Sequence, residues 1–168
     1  WGDIHNHNEV GYGQGSLERS YQIARSHLDF YAFTPHGQHA DDATDGFQVV
    51  LDQWPEIQRA ASANYDPGRF TTFLAYEWHS RQWGDRHVVF LDDDHSMYLA
   101  RTLDDLQSQL KSQSALVIAH HIAYPNGVDW DLLDESLSPV IEIFSEHGCS
   151  ERDFGLHQMV GHGNGPGV

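Results

Sequence analysis

The sequence predicts an α/β fold built on a parallel sheet of βα units, and three observations carry that expectation. Short apolar runs alternate with amphipathic stretches over most of the 168 residues, as in a chain of βα units. The clearest run, Ala115-Leu116-Val117-Ile118-Ala119, is apolar throughout, as strands covered on both faces are. No stretch of apolar residues is long enough to span a bilayer, so the apolar runs belong to a water-facing protein's core.

Taken in order, the first strand is expected at residues 2–7. Beyond a loop containing Gly11, Gly13 and Gly15, Ser16 is a good N-cap for a helix over 17–28, where Leu17, Tyr21, Ala24 and Leu28 form one apolar stripe. Residues 29–34, rich in aromatics, read as the second strand. A helical region follows over 44–63, with Pro55 in the first turn of a second helix, where its missing N–H is no loss. Residues 70–78 and 87–91 are the third and fourth strands, separated by a loop rich in Arg and Trp. Thr102 caps a helix over 103–113, with Asp105 in the place of the usual capping-box glutamate. The fifth strand is 115–119 and the sixth 140–144; a short helix is expected over 150–160 and a loop or tail over 161–168. The length suits one domain over 1–168. The start at Trp1 and the glycine-rich end read as those of a piece of a longer protein.

Composition narrows the function. Nine Lys+Arg against 25 Asp+Glu give a formal charge of −16, which disfavours nucleic acid and anionic membrane surfaces as partners. The lone Cys149 excludes a disulfide framework and a cysteine-based zinc site. Ser16 stands where a dinucleotide fingerprint needs its third glycine, and neither a phosphate-binding P-loop nor a nucleophile elbow occurs. The anomaly is the thirteen histidines.

In parallel α/β folds the chemistry gathers at the carboxyl ends of the strands, and most of the histidines fall there. His5 and His7 close the first strand at a spacing that puts both imidazoles on one face. His36 and His39 follow the second strand, Glu77 and His79 close the third, and His120 and His121 close the fifth. Glu142 lies in the sixth, with Glu146 and His147 just after it. His87 opens the fourth strand and so breaks the rule. His27, His95, His157 and His162 read as bystanders. Imidazoles combined with carboxylate suit zinc, iron or manganese rather than an all-oxygen calcium or magnesium cage, so two or three divalent ions are expected, with Glu77 as a bridge. Arg81 and Arg86 are candidates for gripping an anionic substrate group. Trp78, Trp83, Tyr124 and Trp130 are either pocket walls or plain packing.

Asp3-Ile4-His5-Asn6-His7 followed by Thr34-Pro35-His36 resembles the opening motifs, D-x-H-x-H and T-D-H, of the polymerase and histidinol phosphatase (PHP) superfamily. Glu77, His87-Val88-Val89 and Ile118-Ala119-His120 are similar to its later motifs, in order. Segments such as Gly13-Gln14-Gly15-Ser16-Leu17-Glu18 and Tyr76-Glu77-Trp78 resemble one poorly characterised bacterial branch. The resemblance implies a distorted (β/α)7 TIM-like barrel, incomplete here at about six strands, and His5, His7, His36, Glu77, His87 and His120 as metal ligands. It departs at Pro35, which replaces the motif's aspartate, at Gln14, where the branch often has histidine, and in lacking a final Asp-x-His before Val168.

The expected function is a metal-dependent phosphomono- or diesterase, open to sulfate or phosphonate esters, acting on a small anionic ester through a metal-activated hydroxide. Arg81, Arg86 or His147 would stabilise the transition state or protonate the leaving group. Two other readings stand beside it. One is an amidohydrolase-type C–N hydrolase, for which the single lysine, Lys111, is poorly placed as a bridge. The other is a catalytically silent metal-binding domain. The resemblance leaves bacterial cytoplasm and periplasm open, and oligomeric state is not legible.

Overall fold

In the computed structural model, residues 1–11, 13–39, 48–124 and 127–151 are described. The elements in chain order are β1 (Gly2–Asp3), α1 (Leu17–Arg25), β2 (Phe30–Phe33), β3 (His36–His39), α2 (Gln48–Asn64), β4 (Thr71–His79), β5 (Arg86–Phe90), α3 (Leu103–Leu110), β6 (Ala115–Ala119), β7 (Phe144–Ser145) and β8 (Gly148–Cys149). The helix expected over 150–160 and the tail over 161–168 lie outside the described residues, apart from the first two positions of that helix.

One sheet organises the chain, in the order β1-β2-β4-β5-β6 with β3 also on β4, and it curls into a half-barrel. β1 and β2 are parallel, as are β2 and β4, but β4, β5 and β6 are successively antiparallel. The expected all-parallel sheet is therefore corrected. Residues 80–85 are too few for a crossover, which takes a dozen or more, so the chain must return as a hairpin.

β2 and β3 form in effect one strand along β4. Phe33 faces Leu74 and His36 faces Glu77 in the same register. The break falls at Pro35, which has no N–H to give but whose carbonyl accepts from Glu77 N (2.9 Å). The first strand is shorter than expected, and the sixth is replaced by a single parallel bridge from Ile141 to Ala119 followed by the β7–β8 hairpin.

Caps and packing explain the helices. Ser16 Oγ accepts from Arg19 N (3.2 Å) and Thr102 Oγ1 from Asp105 N (3.1 Å), as the sequence suggests. Pro55 starts no new helix; it lies inside α2. Its ring faces solvent while Val50, Trp54, Ile57 and Ala61 bury one stripe, and that burial outweighs the lost backbone bond.

The two faces of the sheet differ. Leu74, Tyr76, Trp78, Val88, Phe90 and Val117 join Leu103, Leu106 and Leu110 of α3 in the main core. The opposite, concave face carries only a small cluster: Ala32, Ala75, Val89 and Ile118. Because side chains alternate along a strand, Glu77 and His79 on β4, His87 on β5 and His120 just past β6 share that concave face.

Candidate metal centre

Strand polarity brings the histidines together. His87 opens β5, but β5 runs against β4, so its first residues lie beside the last residues of β4: Glu77 pairs with His87 and Trp78 with Arg86. β6 reverses again, setting Arg86 against Ala119 and placing His120 at the same edge. His121 has φ +51°, a left-handed conformation that histidine adopts more readily than most residues. That turn, closed by Tyr124 N donating to His121 O (2.9 Å), lets consecutive imidazoles join one group with His5 and Glu77, with ring centroids 4.5 Å apart.

Glu77 is the hub, buried to about 1% exposure. Its Oε1 meets His120 Nε2 at 2.7 Å. Its Oε2 lies 3.4 Å from His7 Nε2 and 3.2 Å from His36 Nδ1. Around it the ligand atoms converge in overlapping groups: His5, Glu77, His120 and His121; His5, His87 and Glu142; His7, His36 and Glu77; and Glu77, His79 and Asp85. All six ligands expected from the sequence are in these groups. Asp85 is an addition; Glu142, which the sequence places in the sixth strand without a ligand role, joins them, as do His79 and His121. His39 lies on β3, opposite His79 in register.

Electrostatics keep the imidazoles ready to ligate. Burial pushes His36 and His121 down to about 3, lowers His7 and holds His87 well below its ordinary value. His5 differs: burial opposes its charge, but the hydrogen bond and charge of Glu142 (Nδ1 to Oε2, 2.6 Å) prevail and raise it. For Glu77 burial acts upward, yet the imidazoles of His79 and His120 hold the carboxyl well below its usual range. Asp85 is likewise lowered by His79 against its own burial.

These residues fit a cation. His87 is fully buried, and neither of its ring nitrogens has a hydrogen-bond partner. His7 Nδ1, His120 Nδ1, His121 Nδ1 and Glu77 Oε2 are buried and unpartnered too. Buried polar atoms of native proteins are nearly always satisfied, and neutral nitrogens plus a carboxylate oxygen are the donor set that zinc, iron and manganese take. Buried His, Glu and Asp groups could thus hold a metal ion.

The centre opens on a cleft of about 1060 Å³ lined by His5, His7, His36, Glu77, His79 and His121 on its floor and by Gln14, Tyr124, Phe144, Glu146 and His147 around them. His147 stands at this cleft, its ring 4.7 Å from that of His121. The two arginines do not line it. Arg81 is exposed. Arg86 is buried, and Nη1 donates to Trp83 O and to Gly84 O (2.8 Å), so it ties down the 80–84 loop. Its expected substrate role is therefore revised: the antiparallel return turns its side chain away from the concave face. Trp78 is core, donating from Nε1 to Ala100 O (2.7 Å), Trp83 packs against that core, and Trp130 is exposed on a 3-10 turn (Trp130–Leu132). Among the expected bystanders, His27 bonds Ile23 O at the end of α1 and His95 stacks on Phe90, while His157 and His162 lie outside the described residues.

Fold and centre together define an α/β protein with a buried histidine–carboxylate cluster fit to hold metal. Residues 14–127 match the family described as "Protein of unknown function (DUF3604)", and the chain belongs to that family. Among solved structures it is similar to PsfC from Pseudomonas syringae PB-5123, with a TM-score of 0.51 and 20% identity over 84% of this chain. The chain spans 64% of the length of that protein, and at this identity the likeness concerns the fold alone. No curated protein matches it. Among the described residues no helix is long and apolar enough to cross a membrane.

Proposed function

We propose that this chain carries the metal centre of a PHP-type phosphoesterase, the curled sheet being the larger part of a distorted (β/α)7 barrel. One observation carries the reading: nitrogens of His7, His36 and His120 converge on the two oxygens of Glu77, and other nitrogens of His7, His87, His120 and His121 stand buried without a hydrogen-bond partner around it, beside an open cleft.

His7 and His36 would hold one ion and His5, His87 and His120 another, with Glu77 shared. Bound there, divalent ions supply Lewis acidity, which acidifies water and offsets the charge of an anionic ester. The protein does the rest. Glu142 fixes the ring of His5 through Nδ1, leaving Nε2 to point elsewhere. The Glu77–His120 bond fixes that ring in the same way. His147, at the cleft and beside His121, is placed to give a proton to a leaving alkoxide. A chain of net charge −16 would repel a phosphate ester unless its site carried cations, so metal loading is a condition of substrate binding as well as of turnover.

Lys111 pairs with Asp134 at 2.9 Å on the surface, which speaks against the amidohydrolase reading with a lysine bridge. The test is hydrolysis of aryl phosphomono- and diesters by the metal-loaded full-length protein, with and without chelator. Chelator-sensitive turnover is expected. Metal uptake with no turnover of any ester leaves the silent metal-binding domain as the correct reading.

A further inference from the structure

We propose that His79 is itself a metal ligand, backed by Asp85, so that the ion beside His7 and His36 is held by three imidazoles and Glu77; this rests on the metal-centre reading above. His7, His36 and His79 stand as three nearly parallel rings, with centroids 4.1 Å apart for the first pair and 4.5 Å for the second. Each turns a nitrogen toward Glu77: His36 Nδ1 and His7 Nε2 lie 3.2 and 3.4 Å from Oε2, and His79 Nε2 lies 3.7 Å from Oε1. His36 Nδ1 and His79 Nε2 are also joined directly by a hydrogen bond, an arrangement an ion between the two rings would replace.

The spacing discriminates between two accounts. A hydrogen-bonded carboxylate draws N–H donors to about 2.7–2.9 Å, as His120 does here at 2.7 Å. Ligands each about 2.0–2.2 Å from one zinc ion sit roughly 3.0–3.5 Å from one another. The three contacts fall in or next to the second range, and Oε2, fully enclosed, takes no hydrogen bond from any of them.

Asp85 supplies what a ligating imidazole needs behind it. Its Oδ1 lies 3.4 Å from His79 Nδ1 and also accepts from Ser80 N at 3.2 Å. A carboxylate on that side keeps the proton on Nδ1, leaving the Nε2 lone pair toward Glu77. The sequence places this arm by two short spacings. His79 is two residues beyond Glu77 and so on the same face of β4, and the hairpin loop of residues 80–85 returns Asp85 beside it.

The test uses the chelated full chain titrated with Co²⁺ alone. His79→Gln keeps a hydrogen-bonding side chain but is a poor ligand, so it should bind one Co²⁺ fewer than wild type, or bind it at least 100-fold more weakly, with a native circular dichroism spectrum. Asp85→Asn should weaken the same ion about 10- to 100-fold. Should His79→Gln not fold, His79→Cys decides. It should show a thiolate-to-cobalt charge-transfer band absent from wild type, which carries only Cys149. Wild-type stoichiometry and affinity in His79→Gln, or Co²⁺ uptake by His79→Cys without the band, overturns the proposal and leaves His79 a buttress of His36. A wild type that binds no Co²⁺ overturns the centre as a whole. Absence of ester hydrolysis in the loaded wild type, with these binding changes present, removes the phosphoesterase reading and leaves the His79 site standing.

Discussion

Replacing Glu77 by Gln tests whether one carboxylate serves two ions. Glu77 gives one oxygen to His120 and the other to the side of His7 and His36, so its charge is shared by both ligand groups, whereas His36 belongs to one. An ion present at 100 times its dissociation constant stabilises the folded state by about 2.7 kcal/mol. Two ions give about 5.4 kcal/mol. For a domain of this size about 2–4 °C of melting temperature accompanies each kcal/mol, so full loading should raise the melting temperature of wild type by roughly 11–22 °C. His36→Gln should keep about half of that rise. Glu77→Gln, which is isosteric and still able to bond His120, should keep almost none while melting within a few degrees of wild type when both are chelated. Scanning calorimetry of chelated and loaded protein reads all three, with Zn²⁺ or Mn²⁺ effective and Ca²⁺ ineffective. A Glu77→Gln protein that retains half the rise would refute the shared carboxylate, because one group would then hold its ion without it.

Two further outcomes follow from the same geometry. A Cβ added at Gly13 would lie 2.7 Å from both Asn8 N and His7 C, backbone atoms that cannot swing aside; Gly13→Ala should therefore weaken metal binding at least about tenfold through His7. Gly15→Ala, at φ +83° but with open space around it, should cost only about 1–2 kcal/mol of stability and leave the metal affinity alone, which isothermal titration with Zn²⁺ distinguishes. The chelated protein should also be acid-labile. Burial lowers His7, His36, His87 and His121 in the folded state, so above about pH 6.5 they are neutral folded or unfolded and contribute nothing to pH dependence. Below that, the unfolded chain takes up protons the folded one refuses, and stability falls by up to about 1.4 kcal/mol per pH unit for each. His5, raised by Glu142, offsets part of this. Thermal melts of chelated protein at pH 7.5, 6.5 and 5.5 check it; equal melting temperatures at the last two would contradict the neutral, buried cluster.

How much was legible in the sequence turns on strand direction. Ser16, Thr102 and the apolar stripe of α1 are set by residues close together in the chain, and local pattern captured them. Pro55 misled because its cost is local, whereas the burial of Trp54 and Ile57 that overrides it is tertiary. The sheet misled for a related reason: alternating strands and helices suggest parallel pairing, but a connection as short as residues 80–85 forbids it, and loop length carried that information all along. The same error made His87 look like an exception and Arg86 like a substrate contact. Once β5 is reversed, residue parity settles both. His87 falls on the concave face with Glu77, its partner in register, while Arg86, one residue earlier, is turned to the loop behind it. Parity applied to β4 also places His79 beside Glu77. What no local pattern reaches is the pairing of Glu142 with His5 across 137 positions of chain, held there by a single bridge between Ile141 and Ala119. The Glu142 carboxylate is the one element of the centre that depends wholly on how the chain closes after β6, so the His5 side should be the first to lose order if that closure is disturbed.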